Sequence, residues 1–372
     1  MTPAGYLIRC NCMNFLEKRN IVTSVVPTPK TPEIGVETFG DITEDLQGKS
    51  LSPAQVIRNV IVEGQRAEQV GLDFFGIGEH HRDDYSVSAP EIVLAALAQA
   101  TEKIRLGTAV TVLSSDDPVR VYERFATLDA ISHGRTEIIA GRGSFIESFP
   151  LFGLNLDDYE SLFEEKLDLL AKVRTGLPVT WSGEHRAALE DQQLYPLLEK
   201  DPITTWVGVG GSPQSVIRAA RHGLPLFMAI IGGQPAAFEQ LVQLYHRALT
   251  QFGQPAQRVG AHFHGLVAPT DKEALELLWP HYQRTMNRLG AERGWPPASK
   301  MRLEASMGLD GAMMAGSPLT VATKMAKVAK SLGLSRVDIK YSAGSLPHET
   351  MLDSIELLGR EVKPLVHEML AK

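Results

Sequence analysis

From residue 33 onward, short runs of apolar and β-branched residues alternate with longer stretches in which apolar residues recur every three or four positions. Such runs are typical of buried strands, and such stretches of amphipathic helices. The predicted strands are 33–40, 72–79, 104–114, 135–143, 203–211, 224–233, 258–269 and 336–341. The predicted helices that follow them are 52–71, 89–103, 117–134, 156–176, 212–223, 235–253, 271–290 and 348–366. Eight such strand–helix units predict an α/β fold, a (β/α)8 TIM barrel.

An open, doubly wound sheet is the alternative arrangement of the same elements. That fold binds a dinucleotide at a glycine-rich turn after its first strand, and the turn VETFGDITED (36–45) contains no G-x-G-x-x-G. The barrel is therefore the favoured fold.

Helix starts are marked by local sequence signals. Ser52 with Pro53 is one such signal, and Asp-Pro at 117–118 is another.

Three segments depart from the repeating pattern. The stretch 177–201 predicts a small strand–loop insertion. The Gly-, Met- and Pro-rich segment 291–318 precedes a further helix (318–333) and the last strand, and we expect it to cover the top of the barrel as a lid. Residues 1–32 are irregular and end in VVPTPKTP, so we expect a flexible N-terminal extension in front of a barrel domain at 33–372.

Composition narrows the class of protein. The 372 residues are 44% hydrophobic and 22% charged, as in ordinary globular proteins, and the formal net charge is −7. That charge disfavours a nucleic-acid partner or an anionic membrane surface, and no apolar run approaches the roughly 18 residues of a membrane span. The two cysteines, Cys10 and Cys12, are too few for a disulfide framework, which favours a cytoplasmic protein.

In a barrel of this kind the active site lies at the C-terminal ends of the strands. Candidate polar residues at those ends are Glu37, the EHH run of Glu79, His80 and His81, and the pair His262 and His264. Neighbouring residues on a strand point to opposite faces, so His80 and His81 are unsuited to sharing one metal ion. A set of Glu79 and His81 would need a third ligand from the seventh strand, and no metal site is predicted.

Two glycine-rich loops at the same edge suggest a phosphate-bearing ligand. VGVGGSPQS (207–215) joins a strand to a helix start, where free N–H groups attract phosphate; simple N-capping by Ser212 explains the same residues. AGRGSF (140–145) places Arg142 between two glycines, where the guanidinium group reaches either a phosphate or only solvent.

At this point the sequence resembles a known family. The motifs that carry the similarity together are EHH (79–81), GTAV with DDPVR (107–120), GRG (141–143), GGSPQS (210–215) and AARHGLPL (219–226). Over about 33–366 the chain is similar to the bacterial luciferase-like monooxygenases. The resemblance implies a (β/α)8 barrel that binds reduced FMN or, in some branches, a deazaflavin coenzyme. It also implies a cytoplasmic homodimer that receives reduced flavin from a separate flavin reductase.

The resemblance also implies roles for individual residues. His80 matches the catalytic histidine, with Glu79 as its polar support, while His81 is scaffold. Ala109 and Val110 are expected against the flavin ring, and the bond between them is often a cis peptide in this family. The other residues expected at the cofactor are Arg142, Ser144 and Phe145 in the pocket wall, Gly211, Ser212 and Ser215 at the phosphate, and Ile230 near the ring. Light-emitting members carry tryptophan where Ile230 stands, so light emission is not expected.

The expected activity is an FMN-dependent oxidation of a small organic substrate by O2. Two alternatives remain open: hydride transfer with a deazaflavin, and flavin binding without turnover. With an ordinary pKa of about 6.5, His80 would serve as acid or base at neutral pH.

Overall fold

Eight parallel strands close into a barrel in the computed structural model, which describes residues 31–143, 145–199 and 202–372. The strands are β1 Glu33–Thr38, β2 Phe74–Ile77, β3 Arg105–Thr108, β4 Thr136–Gly141, β5 Thr204–Val209, β6 Leu226–Ala229, β7 Val259–Val267 and β8 Arg336–Lys340. Each strand pairs with its neighbours in chain order, and β8 pairs with β1 to close the ring. The predicted TIM barrel is confirmed. Residues 1–30 of the expected N-terminal extension lie outside the described residues.

Helices surround the barrel and connect its strands. They are α1 Pro53–Gln69, α2 Pro90–Ala100, α3 Pro118–Ser132, α4 Tyr159–Val173, α5 Pro213–Arg221, α6 Glu239–Gln251, α7 Asp271–Arg293, α8 Lys300–Met307, α9 Pro318–Leu332, α10 His348–Leu357 and α11 Lys363–Ala371. Along the part of the chain that the structure describes, none of these helices is long and apolar enough to cross a membrane.

The helix starts follow the local sequence signals. Ser52 accepts a hydrogen bond from the Gln55 N–H, and Asp117 accepts from the N–H groups of Val119 and Arg120, so both act as N-caps. In each case proline occupies the first helical position, where its missing N–H group costs nothing. These caps fix where each connection enters its helix and so confirm the predicted boundaries.

The lower interior of the barrel is filled by aromatic rings around one buried cation. Arg336 is completely buried, its guanidinium carbon lies 3.9 Å from the Phe74 ring centre, and its Nη1 lies 2.6 Å from Glu137 Oε2. The Phe74 ring has room because Gly107 lacks a side chain: a Cβ there would lie 2.9 Å from it. This packing leaves only the C-terminal edge of the barrel for a ligand.

The two internal insertions have regular structure. The stretch 177–201 contains an antiparallel hairpin of Val179–Trp181 and Leu189–Gln192, as expected. The segment 291–318 is not one long loop, because it contains α8 and a short strand, Met314–Gly316, that pairs with the end of β7.

The methionines of this second insertion do not form the expected cover. Met313 and Met314 are buried in the main hydrophobic core. The Lys324 ammonium group holds the segment by donating to the carbonyl groups of Ser306, Met307 and Met313. The segment is therefore a packed part of the fold rather than an apolar lid.

Candidate active site

His80 lies just beyond β2 inside a cage of aromatic rings. Its ring centre is 4.9 Å from that of Phe39, 4.3 Å from that of Tyr85 and 4.9 Å from that of Phe145. Its Nε2 is buried and has no hydrogen-bond partner within the described chain. A buried polar atom without a partner costs about 1–3 kcal/mol, so Nε2 is a candidate contact for a polar group of a ligand.

The cage changes the acid–base character expected of His80. Burial is the main cause that lowers the pKa of His80 to about 3, and the nearby charges of Lys340 and Arg82 lower it further while Asp41 opposes them. The expectation of an ordinary pKa near 6.5 is therefore wrong. At neutral pH the imidazole is uncharged, which suits a hydrogen-bonding group rather than a cationic acid.

Glu79 does not support His80 directly. Its Oε1 lies 3.3 Å from His81 Nε2, and its Oε2 accepts a weak hydrogen bond from the Val112 N–H at 3.5 Å. Glu79 therefore fixes His81 and the chain after β3, and these contacts fit the scaffold role expected of His81. A role for Glu79 in catalysis stays a prediction.

Ala109 and Val110 interrupt the predicted third strand. Strand β3 ends at Thr108, and Thr111–Val112 resumes pairing with β4 after a cis peptide bond between Ala109 and Val110. A Cβ at Gly141 would lie 2.7 Å from Val110, and one at Gly208 would lie 3.2 Å from it. Glycine at both positions lets Val110 pack across two neighbouring strands as an apolar wall.

Ser215 is the centre of a cluster of hydrogen-bond donors at the start of α5. Its hydroxyl oxygen lies 2.8 Å from the Ser212 hydroxyl, 3.5 Å from Arg142 Nη2 and 3.4 Å from Arg218 Nη1. Ser212 also caps the helix by accepting the Ser215 N–H, and Gly211 before it has a φ of 114°. Two hydroxyls, two guanidinium groups and a helix start suit an anion such as phosphate.

Arg218 was missed by sequence reasoning. It is nearly buried, and it follows Ser215 by three residues on α5, a spacing that places both side chains on one face. In this structure Glu160 of α4 pairs with both arginines, by Oε1 with Arg142 and by Oε2 with Arg218 Nη2 at 3.1 Å. Glu160 therefore occupies the place at the two guanidinium groups that a bound anion would take.

Phe145 closes the site from above. The Arg82 guanidinium carbon lies 4.5 Å from its ring centre, and Arg82 also pairs with Glu147 and Glu292 at 2.7 Å each. The space left between this loop and His80 is a cavity of about 10 Å³, enough for about one water molecule. A larger cavity of about 480 Å³ lies at the hairpin insertion and shares none of the candidate residues.

One predicted site residue, Ile230, does not join this group, and another, Ser144, lies outside the described residues. Ile230 is completely buried in the core between sheet and helices. Side chains alternate along β6, so Phe227 and Ala229 point into the barrel and Ile230 points outward. Within the described ranges no cluster of three or more His, Cys, Asp or Glu side chains is arranged to hold a metal ion.

An eight-stranded parallel barrel with a histidine, an arginine and two serines at the C-terminal strand ends has the architecture of a barrel enzyme. Residues 34–336 match the family described as luciferase-like monooxygenase. The chain belongs to that family.

Curated relatives agree with this assignment. An uncharacterised protein, y4vJ, of Sinorhizobium fredii is 33% identical over 50% of this chain and 53% of its own length. The N-acetyl-S-alkylcysteine monooxygenase of Bacillus subtilis is 30% identical over 63% of this chain and 68% of its own length. The chain thus spans only about half of the first relative.

Solved structures show the same fold at low sequence identity. Monooxygenase RslO1 of Streptomyces bottropensis superposes with a TM-score of 0.76 at 20% identity, over 89% of this chain and 99% of that one. The oxygenating constituent of 3,6-diketocamphane monooxygenase of Pseudomonas putida, in complex with FMN, gives 0.70 at 21% identity, over 90% and 98%. An F420-dependent secondary alcohol dehydrogenase gives 0.69 at 18%, over 90% and 99%.

Proposed function

We propose that this protein binds FMN at the C-terminal edge of the barrel and, with the flavin reduced, oxidises a small organic substrate with O2. The observation that carries the proposal is the donor cluster around Ser215, which lies on the same edge as the unpartnered nitrogen of His80. The first feature suits a phosphate and the second suits a polar group in a dry pocket.

The residues present fit FMN. The phosphate group would accept hydrogen bonds from Ser212, Ser215, Arg142 and Arg218, while Val110 would support the ring on an apolar surface. Bound reduced FMN would supply the electrons for the reaction with O2, which is chemistry that no side chain provides.

The chain contributes a closed aromatic environment around a neutral His80. Phe39, Tyr85 and Phe145 surround the imidazole, and burial keeps it neutral, so Nε2 is available for a hydrogen bond inside the closed site. Since the cavity beside His80 holds only about one water, the Phe145 loop has to move before a ring enters.

The main alternative is hydride transfer with a deazaflavin coenzyme. One structural neighbour is an F420-dependent secondary alcohol dehydrogenase, which is the observation in favour of this alternative. FMN is favoured because several curated relatives are named monooxygenases and a neighbouring monooxygenase structure holds FMN. A flavin-binding protein without turnover is the third possibility, and the unpartnered His80 nitrogen argues for chemistry over storage.

A binding titration tests the cofactor. We expect FMN to quench or polarise its own fluorescence on binding, with a Kd on the order of micromolar. Tight binding of coenzyme F420 without binding of FMN would overturn the proposal. O2 uptake in the presence of FMN, NADH, a supplied flavin reductase and a panel of small organic substrates then separates an oxygenase from a flavin-storage protein.

Two assembly properties belong to the same proposal. A separate reductase would deliver reduced FMN, because the turn after β1 carries no dinucleotide fingerprint. The chain would act as a homodimer in the cytoplasm, and light scattering of the purified protein measures its mass directly.

A further inference from the structure

Three ionisable side chains meet in the barrel interior below the candidate site, and none of them has a role in the function described above. Glu37 lies on β1, His262 on β7 and Asp338 on β8, with exposures of 1%, 7% and 0%. His262 Nδ1 is hydrogen-bonded to Glu37 Oε2. Its other ring nitrogen, Nε2, has no partner among the residues that the structure describes.

Three of the four carboxyl oxygens of Glu37 and Asp338 lack a hydrogen-bond donor. Glu37 Oε1 and both oxygens of Asp338 are buried without a hydrogen bond, although Arg336 Nε lies 3.1 Å from Asp338 Oδ2. Asp338 lies within hydrogen-bonding reach of Glu37, and burial, with the nearby carboxylates, raises the pKa of Asp338 well above its usual range. A proton shared between the two carboxyl groups is the donor that these oxygens otherwise lack.

The three residues adjoin the candidate site. A Cβ at Gly76 would lie 2.9 Å from Glu37 Cγ and 3.0 Å from Ala109 Cβ, so Glu37 and Ala109 are neighbours. The Phe39 ring lies between the two histidines, with its centre 4.9 Å from that of His80 and 6.3 Å from that of His262. His262 therefore sits on the floor of the site and His80 in its wall.

We propose that His262, Glu37 and Asp338 form a second proton-handling array at the floor of this site. Glu37 is the positioning residue: by accepting the Nδ1 proton of His262 it leaves Nε2 as a lone-pair acceptor. A proton leaving an O–H or N–H group of the bound ligand goes to Nε2, and the positive charge formed on the ring is balanced by Glu37. The shared carboxyl proton then shifts toward Asp338.

The array complements His80 rather than repeating it. Burial and the nearby charges of Lys340 and Arg82 disfavour a proton on His80, whereas a proton on His262 faces a hydrogen-bonded carboxylate. Other charged or titratable groups at the array are Arg336, Glu137, His264 and Lys340. The proposal rests on the proposed flavin function for its ligand, but the array itself belongs to the free protein.

Nuclear magnetic resonance of protein labelled with ¹⁵N-histidine tests the array without any turnover assay. The missing signal in His262→Gln assigns the residue. In the wild type we expect His262 to carry its proton on Nδ1 at neutral pH, and we expect its signals to shift when FMN is added. Glu37→Gln should alter the tautomer, and Asp338→Asn should remove a protonated-carboxyl band from the infrared spectrum.

The chain offers a matched control for these measurements. Glu63 Oε1 and His348 Nδ1 form a similar buried pair at 2.7 Å, held between α1 and α10. Glu63→Gln should change the His348 signal and leave His262 and its response to FMN unchanged.

The outcomes separate the two proposals. A wild-type His262 with its proton on Nε2, or without response to FMN that fluorescence shows to be bound, overturns the array. Absence of the carboxyl band overturns the shared proton. If FMN does not bind at all, the proposed function fails, while the tautomer and the carboxyl band still decide whether the array exists.

Discussion

Replacing Arg142 by methionine should separate recognition of the flavin phosphate from recognition of the flavin ring. FMN and riboflavin share the ring and differ by the phosphate group, so each reports on one part of the site. Arg142 lies at the donor cluster of Ser215, and methionine keeps much of its apolar length while removing the charge. We expect Arg142→Met to weaken FMN binding and to leave riboflavin binding unchanged within about twofold.

The size of the effect follows from two opposing contributions. A hydrogen bond to a charged group stabilises by about 1.5–3 kcal/mol. Arg142 first has to leave Glu160, whose side chain is 66% exposed, and such a pair is worth about 0.2–1 kcal/mol. The net loss is about 1–2 kcal/mol, or roughly 5- to 30-fold in Kd at 1.4 kcal/mol for each factor of ten.

Fluorescence titration of both flavins measures this difference. Arg221→Met is the matched control, because Arg221 lies on the same helix and pairs only with Glu164 among the described residues, so it should leave both affinities unchanged. Equal weakening of FMN and riboflavin would mean that Arg142 acts on the ring or on the fold. An unchanged FMN affinity would refute the placement of the phosphate.

Three further changes test other parts of the argument. Glu160→Gln should strengthen FMN binding several-fold in the same titration, because it removes the carboxylate that pairs with Arg142 and with Arg218 Nη2, while Arg218 Nε stays paired with Glu164; an unchanged Kd would contradict this competition. His80→Ala should keep the FMN affinity and lower substrate-dependent O2 uptake by about 10²-fold or more. The pH profile of the wild type should show no ionisation of His80 between pH 5 and 8, because the pKa of His80 is lowered to about 3 and the ring is neutral throughout that range. Lys324→Met should lower the free energy of unfolding in urea by about 3 kcal/mol or more, because buried carbonyl groups lose their donor, with the exposed Lys327→Met as control. The pKa of Lys324 is lowered to about 8, so between about pH 8 and 10.5 the unfolded chain binds a proton there that the folded chain has lost. The free energy of unfolding of the wild type should therefore rise over this pH range, and the variant should lack this rise.

The barrel could be predicted from the sequence because its signals are local. Several helix starts combine a capping side chain with proline, as at Ser52 and Asp117, and the strands are short, mainly apolar runs. Parallel topology then brings the loops after the strands to one edge, which is why Arg142 and Ser215 could be expected together although 73 positions separate them.

The surroundings of His80 could not be predicted in the same way. Phe39, Tyr85 and Phe145 reach it from three different loops, and no local pattern records that they converge. Its lowered pKa is a property of that convergence, so sequence reasoning wrongly assigned an ordinary value. Likewise Met314–Gly316 is too short a run to be recognised as a strand, and its anchor, Lys324, belongs to the following helix.

The arrangement of charges explains how one barrel can hold both a packed interior and a reactive edge. Arg336 pairs with both Glu137 and Asp338 deep inside the barrel, and in the proposed array Asp338 and Glu37 share a proton above it. Toward the edge the residues around His80 are aromatic, and its nitrogen is left without a partner. An unpaired nitrogen weakens the free fold, and a ligand that satisfies it regains that free energy on binding.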